Sequence, residues 1–434
     1  MVPEYDSRYH ITDEAAGRYR TYTEKLHAYG IYDYTDYYSN MLQCILFAKG
    51  VHLDDEKLKY TEKELCPSAI LLGAAPPHSG NTLIRHSLAG HPQIVMIQEV
   101  GYFNNNLYSI CIRLAEVDTE NILEAFWKLY GQEAGEDTIS EYFSDKRRFD
   151  WKMENLLRFR DRVTSQELFV IFHLAYEFMH GREISDLTNI VIYWEPHQWD
   201  RELVGEWSHW LGDEKVKGFL IRTVRNAYMR TGSGIRTEFD AGKRWESLVG
   251  SMGTDDWRQE KRKIYENWKE RVIRFEDLKR YPRKELTELC EWLGIIYDDI
   301  LLRTTRHGQT AYYRNLEGES TGFGLEPIYK QYEEYFSAFD RMRLCLLDGA
   351  FQKKWGYPYI SCLEFSRREL EEMFRKEFRW EKLPQMENDG NKAGIWHRQE
   401  RFRLLLWQAR FMEITNFNLE KNENQEGERD DKIL

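Results

Sequence analysis

Long apolar runs are missing from this 434-residue chain. Stretches such as Ile45–Ala48 and Ala69–Leu72 fall far short of the roughly 18 residues a membrane-spanning helix requires, so no membrane span is expected. The N-terminus, MVPEYDSRYH, has neither a basic segment nor an apolar core, and no signal peptide is read there. Basic excess is missing too: 61 Lys and Arg face 73 Asp and Glu, a formal net charge of −12. A dedicated nucleic-acid binder would carry a basic face, so that class is disfavoured, although a single basic cleft remains compatible with the total. Cysteine is sparse and scattered, at Cys44, Cys66, Cys111, Cys290, Cys345 and Cys362. No CxxC or Cys/His cluster suggests a metal, and the spacing is no disulfide framework. Free thiols in a reducing compartment follow, and cytoplasm is the expected location.

What is present is a core's worth of apolar residues, 42% of the chain, enough for one large domain or two. The organising stretch is Ser68–Glu99. Ser68–Ala74 reads as a buried strand, broken by the turn punctuation of Gly73, Pro76 and Pro77. Asn81 or Thr82 then starts a helix carrying Leu83, Ile84 and Leu88, with Gly90 ending it. A strand, a Pro/Gly/Ser loop and a helix N-terminus together make an anion site, because amide groups and the helix dipole both favour negative charge. A second strand, Ile94–Ile97, delivers Glu99 at its carboxyl end, where open α/β sheets place their ligands.

Further along, residues 104–188 look mostly helical, with Phe169, Phe172, Leu174 and Tyr176 at helical spacing and Ser165 and Glu167 opening that segment. Asn189–Tyr193, Phe219–Ile221 and Val272–Ile273 read as further strands. Pro282 starts a helix with Leu286, Leu289, Cys290 and Leu293 on one face, closed by Gly294. Leu301–Gly324 is loop-like, and one helix is expected from about Pro327 to Leu347. Beyond Cys362, Leu370, Met373 and Phe374, then Phe402, Leu405, Leu406 and Ala409, make two amphipathic helices. Strands alternating with helices predict an α/β fold with a mainly parallel sheet covered on both faces. The expected division is a helical N-terminal extension over 1–65, an α/β domain over 66–360 with 104–188 as a helical cap, and a charged helical extension over 361–434 with a disordered end.

The loop does not fit the nucleotide-binding GxxxxGK[ST] pattern, since Asn81 stands where its lysine belongs. Pro77, His78, Ser79, Gly80, Asn81, Thr82 and Leu83, followed by His91, Pro92 and Glu99, instead resemble the sulfotransferase 5′-phosphosulfate loop, P-[KR]-S-G-T-T-L followed by H-P and an acid. In the order that family requires, WEPH (Trp194–His197) resembles its K-x-P-x-H strand exit and FLIRTVRNAYMRT its second signature. RFEDLKRYP (Arg274–Pro282) is similar to R-Y-E-D-L-x-x-x-P, and STGF and WGYPY resemble the carboxyl end.

The resemblance implies a P-loop-like three-layer fold and a sulfuryl transfer from 3′-phosphoadenosine 5′-phosphosulfate (PAPS) to an acceptor, with no metal. The loop would hold the 5′-phosphate, Arg222 and less certainly Arg225 the 3′-phosphate, with Arg230 at the usual serine position. Phe275 would face the adenine, Arg314 would add a further cofactor contact, and Glu99 would be the base with His78 on the leaving group. His78, Trp194, Val224, Arg230 and Phe275 depart from the family pattern, which bears on turnover more than on fold. The acceptor is a carbohydrate, another small-molecule hydroxyl or a peptide tyrosine. A catalytically degenerate binding or scaffold module is the second reading, favoured if Arg222 and the Ser79–Thr82 amides fail to converge near Glu99.

Overall fold

Five strands form one parallel sheet in the order β2-β3-β1-β4-β5, built from β1 (Ala69–Gly73), β2 (Ile94–Met96), β3 (Val191–Trp194), β4 (Lys217–Val224) and β5 (Trp268–Arg274). The computed structural model describes residues 65–73, 78–98, 102–135, 143–158, 160–184, 186–195, 216–242, 268–306, 309–315, 318–383, 402–406 and 409–410. Apart from Leu65, the N-terminal extension lies outside them, as do Pro77, Glu99, His197 and the C-terminal end.

Every residue of β1, β2 and β3 is buried, as expected for strands covered on both faces. Successive side chains alternate. Ile70, Leu72, Val95, Ile192, Trp194 and Leu220 join one core cluster. Ala69, Leu71, Ile94, Met96, Val191, Tyr193, Phe219 and Ile221 join the other. The result is three layers.

The first face is covered by helices that follow β2: α2 (Tyr102–Ala115), α3 (Ile122–Ala134), α4 (Lys146–Leu157) and α5 (Ser165–Met179). Phe103, Phe126, Phe143, Phe149 and Phe172 pack there edge-on and tilted, with Phe149 stacked on Phe172, at centroid separations of 4.8–6.2 Å. The cap of α5 is Thr164 rather than Ser165, because Thr164 and Glu167 form a reciprocal capping box. The second face is covered by α1 (Asn81–Leu88), α7 (Phe275–Arg280) and α8 (Pro282–Leu293), and Gly294 closes α8 at φ +75°. Between them in sequence, α6 (Ala227–Asp240) follows β4.

Two expectations differ. Residues 301–324 hold two short antiparallel hairpins, β6 (Thr305–Arg306) with β7 (Gln309–Thr310) and β8 (Tyr312–Asn315) with β9 (Gly318–Thr321). The single helix over 327–347 is instead α9 (Glu326–Tyr329) and α10 (Ala338–Leu347). Ser337 and Asp340 form a capping box that starts α10 afresh, and the Tyr332 amide donates to the Tyr228 hydroxyl at 2.7 Å. After α10 come α11 (Gly349–Lys354) and α12 (Arg367–Arg375). Leu370, Phe374, Phe378, Trp380 and Phe402 pack with Tyr228, Ile235, Tyr332 and Phe336 in a third cluster. Among the described residues, no helix is long and apolar enough to cross a membrane.

His173 on α5 is fully buried, its Nδ1 facing the Phe169 carbonyl at 2.8 Å while Nε2 has no hydrogen-bond partner among the described residues. Burial pushes its pKa down to about 4. An unfolded chain therefore takes up this proton between about pH 6.5 and 4 while the folded chain does not, so stability falls as pH falls through that window. The full loss is on the order of 3 kcal/mol. Urea midpoints measured from pH 7 to pH 4 should show a shallower acid slope for His173→Phe than for the parent; an unchanged slope would exclude this group as the source.

Candidate anion-binding site

Strand order reverses about β1: the chain passes to β2 and β3 on one side and returns to β4 on the other. Such a reversal opens a crevice at the carboxyl ends of the strands. His78 and Asn81 lie at those carboxyl ends, bonded by Arg225 and Thr223 of the β4 exit. Gly73 is required there, since a Cβ would sit 2.4 Å from the Tyr193 hydroxyl. The described chain resumes at His78, whose φ of +64° is the one positive value for a non-glycine residue among the described residues. Gly80 follows at φ +114°, and a Cβ on it would meet the Phe275 ring at 2.5 Å.

Helix α1 has eight residues, no side-chain N-cap and no acid in its first turn. Its positive end therefore keeps its preference for an anion. Beside it, the Ser79 side chain is buried at 1% exposure and its Oγ has no hydrogen-bond partner among the described residues. A buried hydroxyl without a partner costs free energy that a ligand acceptor would recover. Asn81 accepts at Oδ1 from the Thr223 hydroxyl at 2.8 Å, which ties α1 to the end of β4. Thr82 is exposed, and Leu83 is a core residue.

Three arginines of the second-signature segment have separate fates. Arg222 pairs with Glu270 on the neighbouring strand β5. Arg230 is buried in an ion pair with Asp348 at 3.0 Å. Arg225 reaches the loop: Nη1 donates to the His78 carbonyl at 3.1 Å, Nη2 to the Pro327 carbonyl at 2.9 Å, and its guanidinium lies 4.4 Å from the Phe275 centroid. Phe275 is itself buried, pressed between Gly80 and Arg225. Arg314 sits on β8 opposite Glu319.

Glu276 joins three of the motif segments. It accepts from the Asn226 amide at 3.1 Å and from the Tyr357 hydroxyl at 2.6 Å, so the segments around Arg225, Phe275 and WGYPY meet at one carboxylate. Desolvation and this carboxylate push the Tyr357 phenol well above its ordinary range. STGF joins the same region, since Lys279 donates to the Gly322 carbonyl. At the WEPH segment, Tyr193 donates to Glu195 at 3.0 Å and Arg85 of α1 lies 3.7 Å from the same carboxylate. His91 is a packing residue: Nε2 donates to the Ile296 carbonyl at 2.8 Å and Nδ1 accepts from the Gln93 amide at 3.1 Å. Among the described residues no group of His, Cys, Asp and Glu could hold a metal ion.

Sequence reasoning missed Lys279, which reads as one solvated charge among several in RFEDLKR, and the Tyr193–Glu195–Arg85 contact. For the second there was a signal: Tyr193 alternates with Ile192 and Trp194, so it had to face the α1 side. Lys279 offered none, because apart from the Phe275 ring one helical turn earlier its contacts lie 43 or more residues away in sequence.

No family model matches the sequence, and no curated protein matches it. Among the solved structures similar to the chain are two described as sulfotransferase domains, the family the motifs resemble. One is the sulfotransferase domain from the Synechococcus PCC 7002 olefin synthase, at 18% identity over 69% of this chain and 98% of that one, with a TM-score of 0.39. The other is the sulfotransferase domain from the curacin biosynthetic pathway, at 13% identity over 68% and 99%, with a TM-score of 0.36.

Gly80→Ala combines a left-handed backbone with a methyl driven into Phe275. It is expected to destabilise the protein by roughly 1–3 kcal/mol, read as a lowered denaturant midpoint. A midpoint equal to the parent's would show that the loop does not hold this conformation.

Proposed function

We propose that this chain is a PAPS-dependent sulfotransferase that moves a sulfuryl group to the hydroxyl of a carbohydrate or other small molecule. One observation carries the reading: the buried, unpartnered Ser79 hydroxyl beside an uncapped helix N-terminus at the crevice of a parallel sheet. That is a built place for a phosphoryl oxygen. Support comes from the motif segments. The loop, the second signature, RFEDLKRYP, STGF and WGYPY are far apart in sequence, yet Arg225, Glu276 and Lys279 tie them to one another.

In this reading the bound co-substrate supplies the activated sulfuryl group, and the chain supplies position and charge. Ser79 and the α1 amides hold the 5′-phosphate. Arg225 fixes the loop backbone at His78, whose ring is the nearest candidate to donate to the leaving oxygen. Glu99 enters on the motif alone, as the base that takes the acceptor proton while the acceptor oxygen bonds to sulfur and the phosphate–sulfur bridge breaks. A peptide tyrosine is the other acceptor compatible with the family.

A specific observation favours a second reading. Arg222 and Arg230 are both engaged by carboxylates, Glu270 and Asp348, and so stand apart from the loop. A sulfotransferase-fold module that binds a nucleotide without turning it over would tolerate this.

The two readings separate in two measurements. Adenosine 3′,5′-bisphosphate at millimolar concentration should raise the melting temperature, as linkage requires. Ser79→Ala should leave the ligand-free melting temperature near the parent's and weaken the nucleotide about tenfold, the worth of one hydrogen bond to a charged group. Mass spectrometry of an acceptor panel with PAPS should show the sulfate addition. Binding without transfer selects the second reading; no thermal response to the bisphosphate overturns both.

A further inference from the structure

Strand β2 is an edge of the sheet, with β3 as its strand neighbour on the inner side. On that side the Val191 amide donates to the Gln93 carbonyl at 2.8 Å. Backbone polar groups alternate in direction along a strand, so those of Ile94 and Met96 point outward, where a further strand would pair with them. Among the described residues no strand lies there. Two side chains stand in for it. Glu177, near the end of α5, accepts from the Met96 amide at 2.9 Å. Arg182, just beyond α5, donates from Nη1 to the Ile94 carbonyl at 2.6 Å, and from Nη2 to the His91 and Pro92 carbonyls at 3.0 and 2.5 Å. The two side chains form an ion pair at 3.6 Å, and Glu177 is 5% exposed. An acceptor at Met96 and a donor at Ile94 are what a neighbouring strand would offer this edge.

The grip is firm at both ends. A carboxylate bonds an amide more strongly than a neutral acceptor does, and its burial is offset by the guanidinium beside it. Helix α5 is itself fixed: a capping box starts it at Thr164, and every residue from Leu168 to Met179 is buried. What it holds is a strand of three residues, which runs on through the buried Ile97 and Gln98 toward Glu99 in sequence.

We propose that Glu177 and Arg182 are positioning residues, which close the outer edge of β2 and thereby set where Glu99 stands relative to the loop after β1. The inference rests on the reading above, in which Glu99 takes the acceptor proton. Neither residue touches the reacting atoms. A short strand held on one side only frays over its last residues. A base displaced by about an ångström loses rate, while a co-substrate held by the loop and α1 keeps its contacts.

The test compares the parent with Glu177→Ala, Glu177→Gln and Arg182→Lys, at saturating PAPS and with the acceptor found by the mass-spectrometric panel. Glu177→Ala should lower kcat roughly tenfold and leave the affinity for adenosine 3′,5′-bisphosphate within about twofold. Glu177→Gln keeps an oxygen for the Met96 amide and should recover most of the rate. Arg182→Lys keeps the charge without the fork, should fall between, and carries the comparison if Glu177→Ala does not fold. In a Glu99→Gln background Glu177→Ala should cost nothing further, because the group it positions is gone. Hydrogen exchange at the Met96 amide should be faster in Glu177→Ala than in the parent. If the parent transfers sulfate and Glu177→Ala keeps its kcat, loses bisphosphate affinity in step with kcat, or adds its loss to that of Glu99→Gln, the positioning role is wrong and the sulfotransferase reading stands. Unchanged exchange at Met96 also overturns the positioning role. A parent that transfers no sulfate to any acceptor takes down the reading and the positioning role together.

Discussion

The contact between Gly80 and the Phe275 ring is the constraint on which the rest of the site depends. No side chain fits at Gly80, and the backbone there is left-handed, so the loop can lie against the ring only with glycine in that position. With the ring so fixed, Arg225 covers it and reaches the His78 carbonyl. The same helix that carries Phe275 carries Glu276, which holds the β4–α6 turn through the Asn226 amide and the WGYPY segment through Tyr357. One aromatic ring and the carboxylate after it therefore set the relative positions of the loop, the second-signature segment and the carboxyl end of the α/β domain.

This arrangement also explains which parts were legible in the sequence. The strands were legible because a sheet buried on both faces writes itself as short apolar runs, AILLG, IVM and VIYW, and because α8 is bracketed by Pro282 and Gly294. The break between α9 and α10 was not, since the residues between them are compatible with helix and the interruption comes from tertiary contacts of Tyr332 and a cap at Ser337. The start of α1 was legible from the Pro/Gly/Ser punctuation before it. The fates of the arginines were not. Nothing in FLIRTVRNAYMRT says which of Arg222, Arg225 and Arg230 meets a carboxylate, and only the positions of Glu270, Asp348 and the His78 carbonyl distinguish them.

Those fates follow from strand geometry. Arg222 lies within β4, whose neighbour β5 places Glu270 within reach on the adjacent strand, so its charge is spent along the sheet. Arg225 falls after the strand ends, where the side chain turns toward the crevice and meets carbonyls in place of carboxylates. Carbonyl oxygens satisfy the donors of a guanidinium without cancelling its charge. A residue three positions along from another thus becomes a source of positive potential rather than a structural tie.

The histidine at position 78 gains a different meaning in this setting. A lysine or arginine there would add a further cation near Arg225, and repulsion at short range in a dry site is costly. An imidazole can donate a hydrogen bond without carrying a charge, so it does not impose that cost. Its backbone carbonyl is the very group that Arg225 binds, so the loop residue contributes an acceptor to the cation instead of a charge against it. The fixed charge against the loop is then that of Arg225, while the loop itself offers hydrogen-bonding groups, the Ser79 hydroxyl and the first turn of α1. Fixed charge and hydrogen-bonding groups are thereby placed on different residues, Arg225 on one side and Ser79 with the first turn of α1 on the other.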